Sequence, residues 1–508
     1  MGIPKLIYNS DGDSTTLGPF EPPITVDQAC RDIEEVVGTA VDVFSNSMGR
    51  GDETFSHPTE YGSRFGDGVT EWPEAGSVRW VKRMYDNERA LTNQGVNLVE
   101  LLAERAHARG LQFWPTLRMN DIHEDDSTRF SSFRSEFKKA NPELLIGSPY
   151  PQRYGYGYPA DDFTWAFDFI HEEVRERKIG LILETCERYD VDGFELDFQR
   201  GPWYFKDGME QEGMPLLTDM MRKIREGTKR IAAGKGRPFT LMLRIAPTLA
   251  KCEANGIDAP TWIQEELADL FVPMNNTYLD MSAHVKQFVE LAKGTSCHIG
   301  AGLEHLAKGY GHAGADMLYA AASSYFRQGA TFIYLFNYDC HRKNLPVDGP
   351  YTPAEIQVLR EIHDPALISR RNKCYTVTAD VMSRLPEEGG LFPLPFLLHG
   401  AGDAARFTIH VGDDIEAARR DGVLNDMWLR VTATDGRGEH VDLSVALNGE
   451  TLGPGHRAEM PKVTTLTHDG VPARQDDNEV AITLSRTDQA GPVRLEGIEL
   501  VITYRGAS

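Results

Sequence analysis

The chain has 508 residues, enough for two to four domains at roughly 100–200 residues each. Its 53 basic and 76 acidic residues leave a net charge of −23, which speaks against a general nucleic-acid binder and means that any anionic ligand needs locally placed arginines. The composition is globular, and no window approaches 18 consecutive apolar residues, so no membrane-spanning helix and no membrane partner are expected.

From residue 4 to about 345, short apolar runs alternate with amphipathic segments. The runs read as strands are Lys5–Asp11, Val41–Ser47, Leu111–Asn120, Val191–Arg200, Phe239–Pro247, Leu270–Asn276, Cys297–Glu304 and Thr331–Asp339. Helical patterns fall between them at Val96–Arg109, Phe169–Tyr189, Leu216–Ala233, His284–Ala292 and Asp316–Arg327, and Tyr351–Ser369 reads as a closing helix. Eight strands alternating with helices predict an α/β fold, a (β/α)8 TIM barrel, over residues 1–370. A doubly wound sheet is the competing topology, but no phosphate-binding glycine loop follows the first strand.

Past Arg371 the period changes to two. Cys374–Val381, Arg406–Val411, Met427–Thr434, Asp442–Asn448, Glu479–Leu484 and Ile498–Tyr504 alternate apolar and polar residues between Gly-, Asp- and Pro-rich turns. This predicts a C-terminal antiparallel β-sandwich over 371–508. The six cysteines form no C-x-x-C pair and read as buried thiols. Leu6-Ile7-Tyr8 opens the chain without a basic leader and long apolar run, so the expectation is a cytoplasmic protein, or a secreted one whose signal has been removed.

In such barrels chemistry sits at the C-terminal strand ends, on inward side chains. On strand four, VDGFELDFQR, alternation sends Phe194, Leu196 and Phe198 outward and Glu195, Asp197 and Gln199 inward. Strand three ends LRMNDIHED, with Arg118 and Asn120 on one face and His123 in the following loop. Arg200 follows strand four and Arg244 nears the end of strand five, so three strands bring an arginine to one rim. These arginines have two readings: a fork for a substrate carboxylate, or neutralisation of Glu195 and Asp197. Asp11 precedes Gly12 at the end of strand one, where Asp-Gly is also an ordinary turn. Glu304 and His305 end strand seven, and Asn337 and Asp339 share a parity on strand eight. The tyrosines of Tyr150–Tyr158 and Trp165 suit either sugar stacking or loop packing. Asp121, His123, Glu124, Asp125 and Asp126 read as a solvated acidic loop more readily than as a metal site, and neither metal nor other cofactor is expected.

The barrel length together with VDGFELDF resembles the broad group of glycoside hydrolases related to family 10. NSDG at 9–12, LRMNDIH at 117–123, ELDFQR at 195–200 and LFNYD at 335–339 resemble glycoside hydrolase family 156, the inverting exo-sialidases. That resemblance implies a sialylated glycan or other anionic sugar as substrate. It implies Asp11 and His123 as the catalytic pair, with Asp13 competing for the first role. It further implies Arg118 and Arg200 on the sialic acid carboxylate and Asn337 on the sugar. Asn120, Glu195 and Arg244 are carried as further substrate contacts, Glu195 and Glu304 being structural or substrate-orienting. Inversion needs an acid and a base about 6.5–9.5 Å apart. Strands one and three lie roughly 9 Å apart at about 4.8 Å per strand spacing, which is compatible.

Two other functions fit the same residues. A retaining glycosidase for another sugar would use Glu195 as acid/base and Glu304 as nucleophile, about 5–5.5 Å apart. A non-catalytic carbohydrate-binding protein would use the sandwich as its binding module. A homodimer is compatible with either.

Overall fold

The computed structural model describes residues 2–51, 53–70, 72, 79–121, 131–147, 165–275, 278–307, 309–340, 350–378, 394–435, 441–460, 463–485 and 492–506. The N-terminal part is a parallel barrel. Its strands are β1 (Leu6–Ser10), β2 (Val43–Ser47), β3 (Gln112–Arg118), β4 (Gly193–Asp197), β5 (Thr240–Ile245), β6 (Leu270–Pro273), β7 (His298–Ile299), β8 (Ala301–Glu304) and β9 (Ile333–Phe336). Spatial order follows chain order from β1 to β7, and β9 lies between β1 and β8.

The expected seventh strand is therefore two pieces. The Gly300 N–H bonds back to Phe271 O on β6, while the next amide, Ala301, bonds forward to Phe332 O just before β9, both at 2.9 Å. β7 thus pairs with β6 and β8 with β9, and one stretch of chain closes the ring. Glycine is required at the switch, because a Cβ there would lie 2.3 Å from the Phe332 ring.

Helices α1 (Arg79–Asn93), α2 (Leu98–Ala108), α3 (Glu172–Arg188), α4 (Glu210–Lys235), α5 (Val285–Ala292), α6 (Ala315–Gln328) and α7 (Pro353–Glu361) occupy the connections between strands and the segment after β9. Strand alternation sorts the apolar residues into two cores. Tyr8, Phe44, Phe113, Leu117, Phe194, Leu196, Leu243 and Leu335 belong to the larger one, which includes the helices. Ile7, Val43, Trp114, Met242, Val272, Tyr334 and Phe336 form a separate cluster inside the barrel. Burying both faces of a parallel sheet in this way excludes water from its whole hydrogen-bond ladder.

From Lys373 onward the strands are antiparallel. One sheet contains β10 (Lys373–Thr376), β11 (Phe396–Leu398), β13 (Leu424–Asp435), β16 (His456–Met460), β17 (Val463–Asp469) and β19 (Val493–Tyr504). The other contains β12 (Ala404–Val411), β14 (Leu443–Leu447), β15 (Glu450–Thr451) and β18 (Asp476–Leu484). The expected TIM barrel followed by a β-sandwich is the fold observed. All six cysteines are buried, as expected.

Candidate active site

The β1 turn is built around Gly12. It adopts φ 75°, and a Cβ would lie 2.2 Å from the Ser47 carbonyl oxygen, so the N-S-D-G segment passes tightly against β2. That passage leaves Asp11 at the C-terminal end of β1. Its carboxylate accepts from Ser14 Oγ at 2.5 Å and from Arg118 Nη2. Its backbone N–H donates to both Asp339 oxygens, at 3.1 and 3.3 Å. Asp11 retains 8% exposure. Asp13 points elsewhere, accepting from Ser56 Oγ.

Arg118 ends β3. While Nη2 reaches Asp11, Nη1 donates to Asp121 Oδ2 at 3.2 Å. Strand register sets Arg118 beside Asp197 on β4, and Asp197 beside Arg244 on β5. Arg244 Nη1 donates to both Asp197 oxygens at 2.8 and 2.9 Å, its Nη2 donates to Asn275 O at 3.1 Å, and the guanidinium lies 3.7 Å from the Phe336 ring centroid. The result is a buried row of alternating charge, Asp11, Arg118, Asp197 and Arg244, across the barrel mouth. Burial works against the Arg118 cation, but the charges of Asp11, Asp121 and Asp197 outweigh it, and its pKa is raised.

Glu195 lies one layer below. Its Oε2 accepts from Ser45 Oγ at 2.7 Å, Thr116 Oγ1 at 2.9 Å and Asn9 Nδ2 at 3.1 Å, while Oε1 accepts from Tyr334 OH at 2.6 Å. Burial, reinforced by the Asp197 charge, raises its pKa against the effect of those bonds. The two readings of the strand-four acids thus divide. Asp197 is neutralised by Arg244, as the framework reading expects, whereas Glu195 is held by neutral donors and Arg118 pairs with Asp11 and Asp121.

The remaining expected contacts sit as follows. Asn120 is fully buried and clips two loops together: Nδ2 donates to Phe167 O at 2.9 Å and to Trp203 O, and Oδ1 accepts from Phe167 N at 2.8 Å. Glu195, Arg244 and Asn120 therefore direct their polar atoms at protein partners. Arg200 is partly exposed just beyond β4, and its N–H caps Asp197 Oδ1 at 3.0 Å. β9 ends at Phe336, so the strand parity expected for Asn337 and Asp339 does not extend to them. Asn337 instead takes a left-handed conformation (φ 49°), and its N–H donates to Asn9 Oδ1 at 3.2 Å. Its Oδ1 is buried with no hydrogen-bond partner among the described residues. Glu304 is buried at the end of β8, its Oε1 against His305 Nδ1. His123, Glu124, Asp125, Asp126 and the Tyr150–Tyr158 loop lie outside the described residues. Trp165 is described, and its ring carries the Arg134 guanidinium 3.3 Å from its centroid. Among the described residues, no group of three or more His, Cys, Asp and Glu side chains is arranged to hold a metal ion.

Sequence reasoning missed the residues that organise this mouth from below. Asn9 bonds both Glu195 and the Asn337 amide, and Ser10 Oγ donates to Asp339 Oδ2 at 2.9 Å. Their one sequence signal was the polar run Asn9-Ser10-Asp11 at the end of an apolar strand.

No protein-family model matches the sequence, and no curated protein matches it. Among solved structures the chain is similar to α-L-fucosidase isoenzyme 2 from Paenibacillus thiaminolyticus, at 12% identity over 71% of this chain and 49% of that one, TM-score 0.44. It is similar to the α-galactosidase TtGalA from Thermus thermophilus, at 15% identity over 73% and 66%, TM-score 0.40. It is also similar to the maltogenic α-amylase AmyB from Thermotoga neapolitana, at 10% identity over 95% and 100%, TM-score 0.39. The chain spans about half the length of the fucosidase. These are glycoside hydrolases by name, and likenesses this low transfer neither a residue role nor a substrate.

Proposed function

We propose that the protein is a glycoside hydrolase that removes terminal sialic acid with inversion, using Asp11 and His123 as its proton-transferring pair. The observation that carries this reading is the setting of Asp11. It stands at a C-terminal strand end, where barrel chemistry is done, with a small exposed surface and two oxygens held by Ser14 and Arg118. A carboxylate locked in one orientation can accept a proton from water or assist a leaving group without reorganising.

In this reading Arg118 aims Asp11, and the partly exposed Arg200 grips the substrate carboxylate. The buried groups Asp11, Asp121, Asp197, Arg118 and Arg244 carry one more carboxylate than guanidinium, so an anionic sugar needs that further cation. Asn337 Oδ1, which has no hydrogen-bond partner among the described residues, suits a sugar hydroxyl as donor. Histidine's ordinary pKa near 6.5 fits His123 to give or take a proton near neutrality.

A retaining mechanism through Glu195 and Glu304 is disfavoured. Glu195 has no exposed surface, and both its oxygens already accept hydrogen bonds from protein. The deciding experiment is incubation with a fluorogenic sialoside beside neutral glycosides, with NMR of the first-formed anomer. Inverted sialic acid supports the proposal; turnover of neutral glycosides alone, or a retained anomer, overturns it.

A further inference from the structure

The hairpin after β8 extends one side chain from the barrel mouth to the sandwich. Its two short strands, Leu306–Ala307 and Gly311–His312, pair antiparallel directly after the Glu304–His305 contact, and the His312 ring returns to 5.9 Å from that of His305. Between them Tyr310 reaches out. Its hydroxyl accepts the Ile498 N–H at 2.9 Å and lies 3.2 Å from the Val377 and Ile498 carbonyl oxygens, so its own proton has an acceptor.

The place it enters lies between two paired stretches of the sheet. β10 pairs with β19 as far as Thr376–Glu499, whereas β11 pairs with β19 only from Leu495 to Val493. Between those stretches β19 is irregular against β13: Thr432 faces Gly497, but Ala433 faces Leu495, leaving Glu496 extra. Ile498, just past the last β10 pair, stays in register with Val431, and its carbonyl accepts the Val377 N–H at 3.0 Å, while its own N–H turns to a side chain. The Tyr310 hydroxyl supplies the partner. Burial raises the phenol's pKa, so it remains a neutral donor and acceptor.

A second tie lies beside the first. Thr376 N–H points at Met281 Sδ, 3.3 Å away, in the loop after β6. Leu279 of that loop donates its N–H to Leu306 O at 2.6 Å. The same loop supplies the Asn275 carbonyl that accepts from Arg244. Two loops at the C-terminal rim are thus bonded to each other and to Thr376–Val377 and Ile498 of the sandwich.

We infer that Tyr310 is a positioning residue through which the sandwich holds the β6 and β8 loops at the barrel mouth, making the sandwich part of the site's framework and not a detachable carbohydrate module. The catalytic relevance of that hold rests on the proposed function; the hold itself does not. The test uses the full chain bearing Tyr310→Phe, which keeps the ring and deletes the hydroxyl. Tyr319→Phe, which loses a hydroxyl bonded to Glu361 on α7, is the control.

By hydrogen exchange with mass spectrometry, Tyr310→Phe should speed exchange about tenfold in peptides covering 304–313 and 497–499, as expected for one lost hydrogen bond. Peptides covering β4 and β18 should be unchanged. On the substrate found in the glycoside assay, KM should rise about threefold or more with kcat nearly unchanged, the pattern of a group that shapes the binding surface. Unchanged exchange at 304–313, or an equal change throughout the chain, overturns the inference. A local exchange change with wild-type KM overturns the positioning role. If the unsubstituted protein turns over no glycoside, the proposed function falls, and the exchange result alone decides whether Tyr310 holds the hairpin.

Discussion

Arg118, at the end of the third barrel strand, reaches past the second strand to bind Asp11 beyond the first. The same guanidinium holds Asp121 with its other terminal nitrogen. The mouth is therefore organised by one cation spanning two carboxylates, and its chemistry depends on that geometry as much as on charge.

Asp11→Asn should keep the shape of the turn and a hydrogen bond to Ser14 while deleting the charge. If Asp11 transfers the proton, kcat should fall by about 10²–10⁴ with KM little changed, the usual contribution of a positioned acid or base. Steady-state kinetics on a sialoside check this. A wild-type kcat would take Asp11 out of the reaction.

Arg118→Lys conserves charge, but an ammonium cannot reproduce the fork that serves Asp11 and Asp121 together. A charge-assisted bond contributes about 1.5–3 kcal/mol, so kcat/KM should fall roughly ten- to over a hundredfold, with a lowered melting temperature. A lower melting temperature with unchanged kinetics would make Arg118 purely framework.

Glu195 should reveal itself through pH. Its folded-state pKa lies above the ordinary 4.5 because burial and Asp197 disfavour the charge. The folded chain therefore keeps a proton that the unfolded chain releases, and this group's contribution to stability falls as pH rises from 4.5 through the folded value. Glu195→Gln does not titrate, so its stability relative to the unsubstituted protein should improve from pH 4.5 to 7.5 in urea unfolding. Glu195→Ala strands Asn9, Ser45, Thr116 and Tyr334 without their acceptor and should cost more than about 2 kcal/mol. A pH-independent difference between Gln and Glu would contradict the raised pKa.

Gly12→Ala should damage both folding and activity. The added Cβ meets the Ser47 carbonyl at 2.2 Å, and φ 75° is unfavourable for alanine by roughly 1–2 kcal/mol before the clash is counted. Relief of that clash must move the turn and with it Asp11. Wild-type melting and kinetics in this variant would refute the close passage.

Alternation made the barrel legible: Glu195 and Asp197 were placed inside by parity alone, because the period of two is set by the pleat. Parity failed where the strands stopped. Asn337 follows β9 in a left-handed conformation, and the direction of its side chain cannot be counted from Phe336. Charge type pointed to the Asp197–Arg244 pair but not to the Asp11–Arg118 pair, because the latter joins strands two places apart in the ring. Helix α1 escaped notice because its buried face includes the polar Asn87 and Glu88. β17 escaped because its threonines blur the contrast between its faces.

The position of β9 between β1 and β8 also sets the order of events during synthesis. β1 precedes every other barrel strand in the chain, yet its second neighbour does not exist until Ile333–Phe336 has been translated. At about 5–20 residues per second, that is an interval on the order of tens of seconds. Through it, one edge of β1 offers unpaired amides and carbonyls, and the row that begins with Asp11 has no Asp339 to fix the Asp11 backbone. The nascent barrel is an open sheet with an adhesive first strand, so ribosome-bound chains ending before residue 333 are the species most exposed to mispairing and to capture by chaperones.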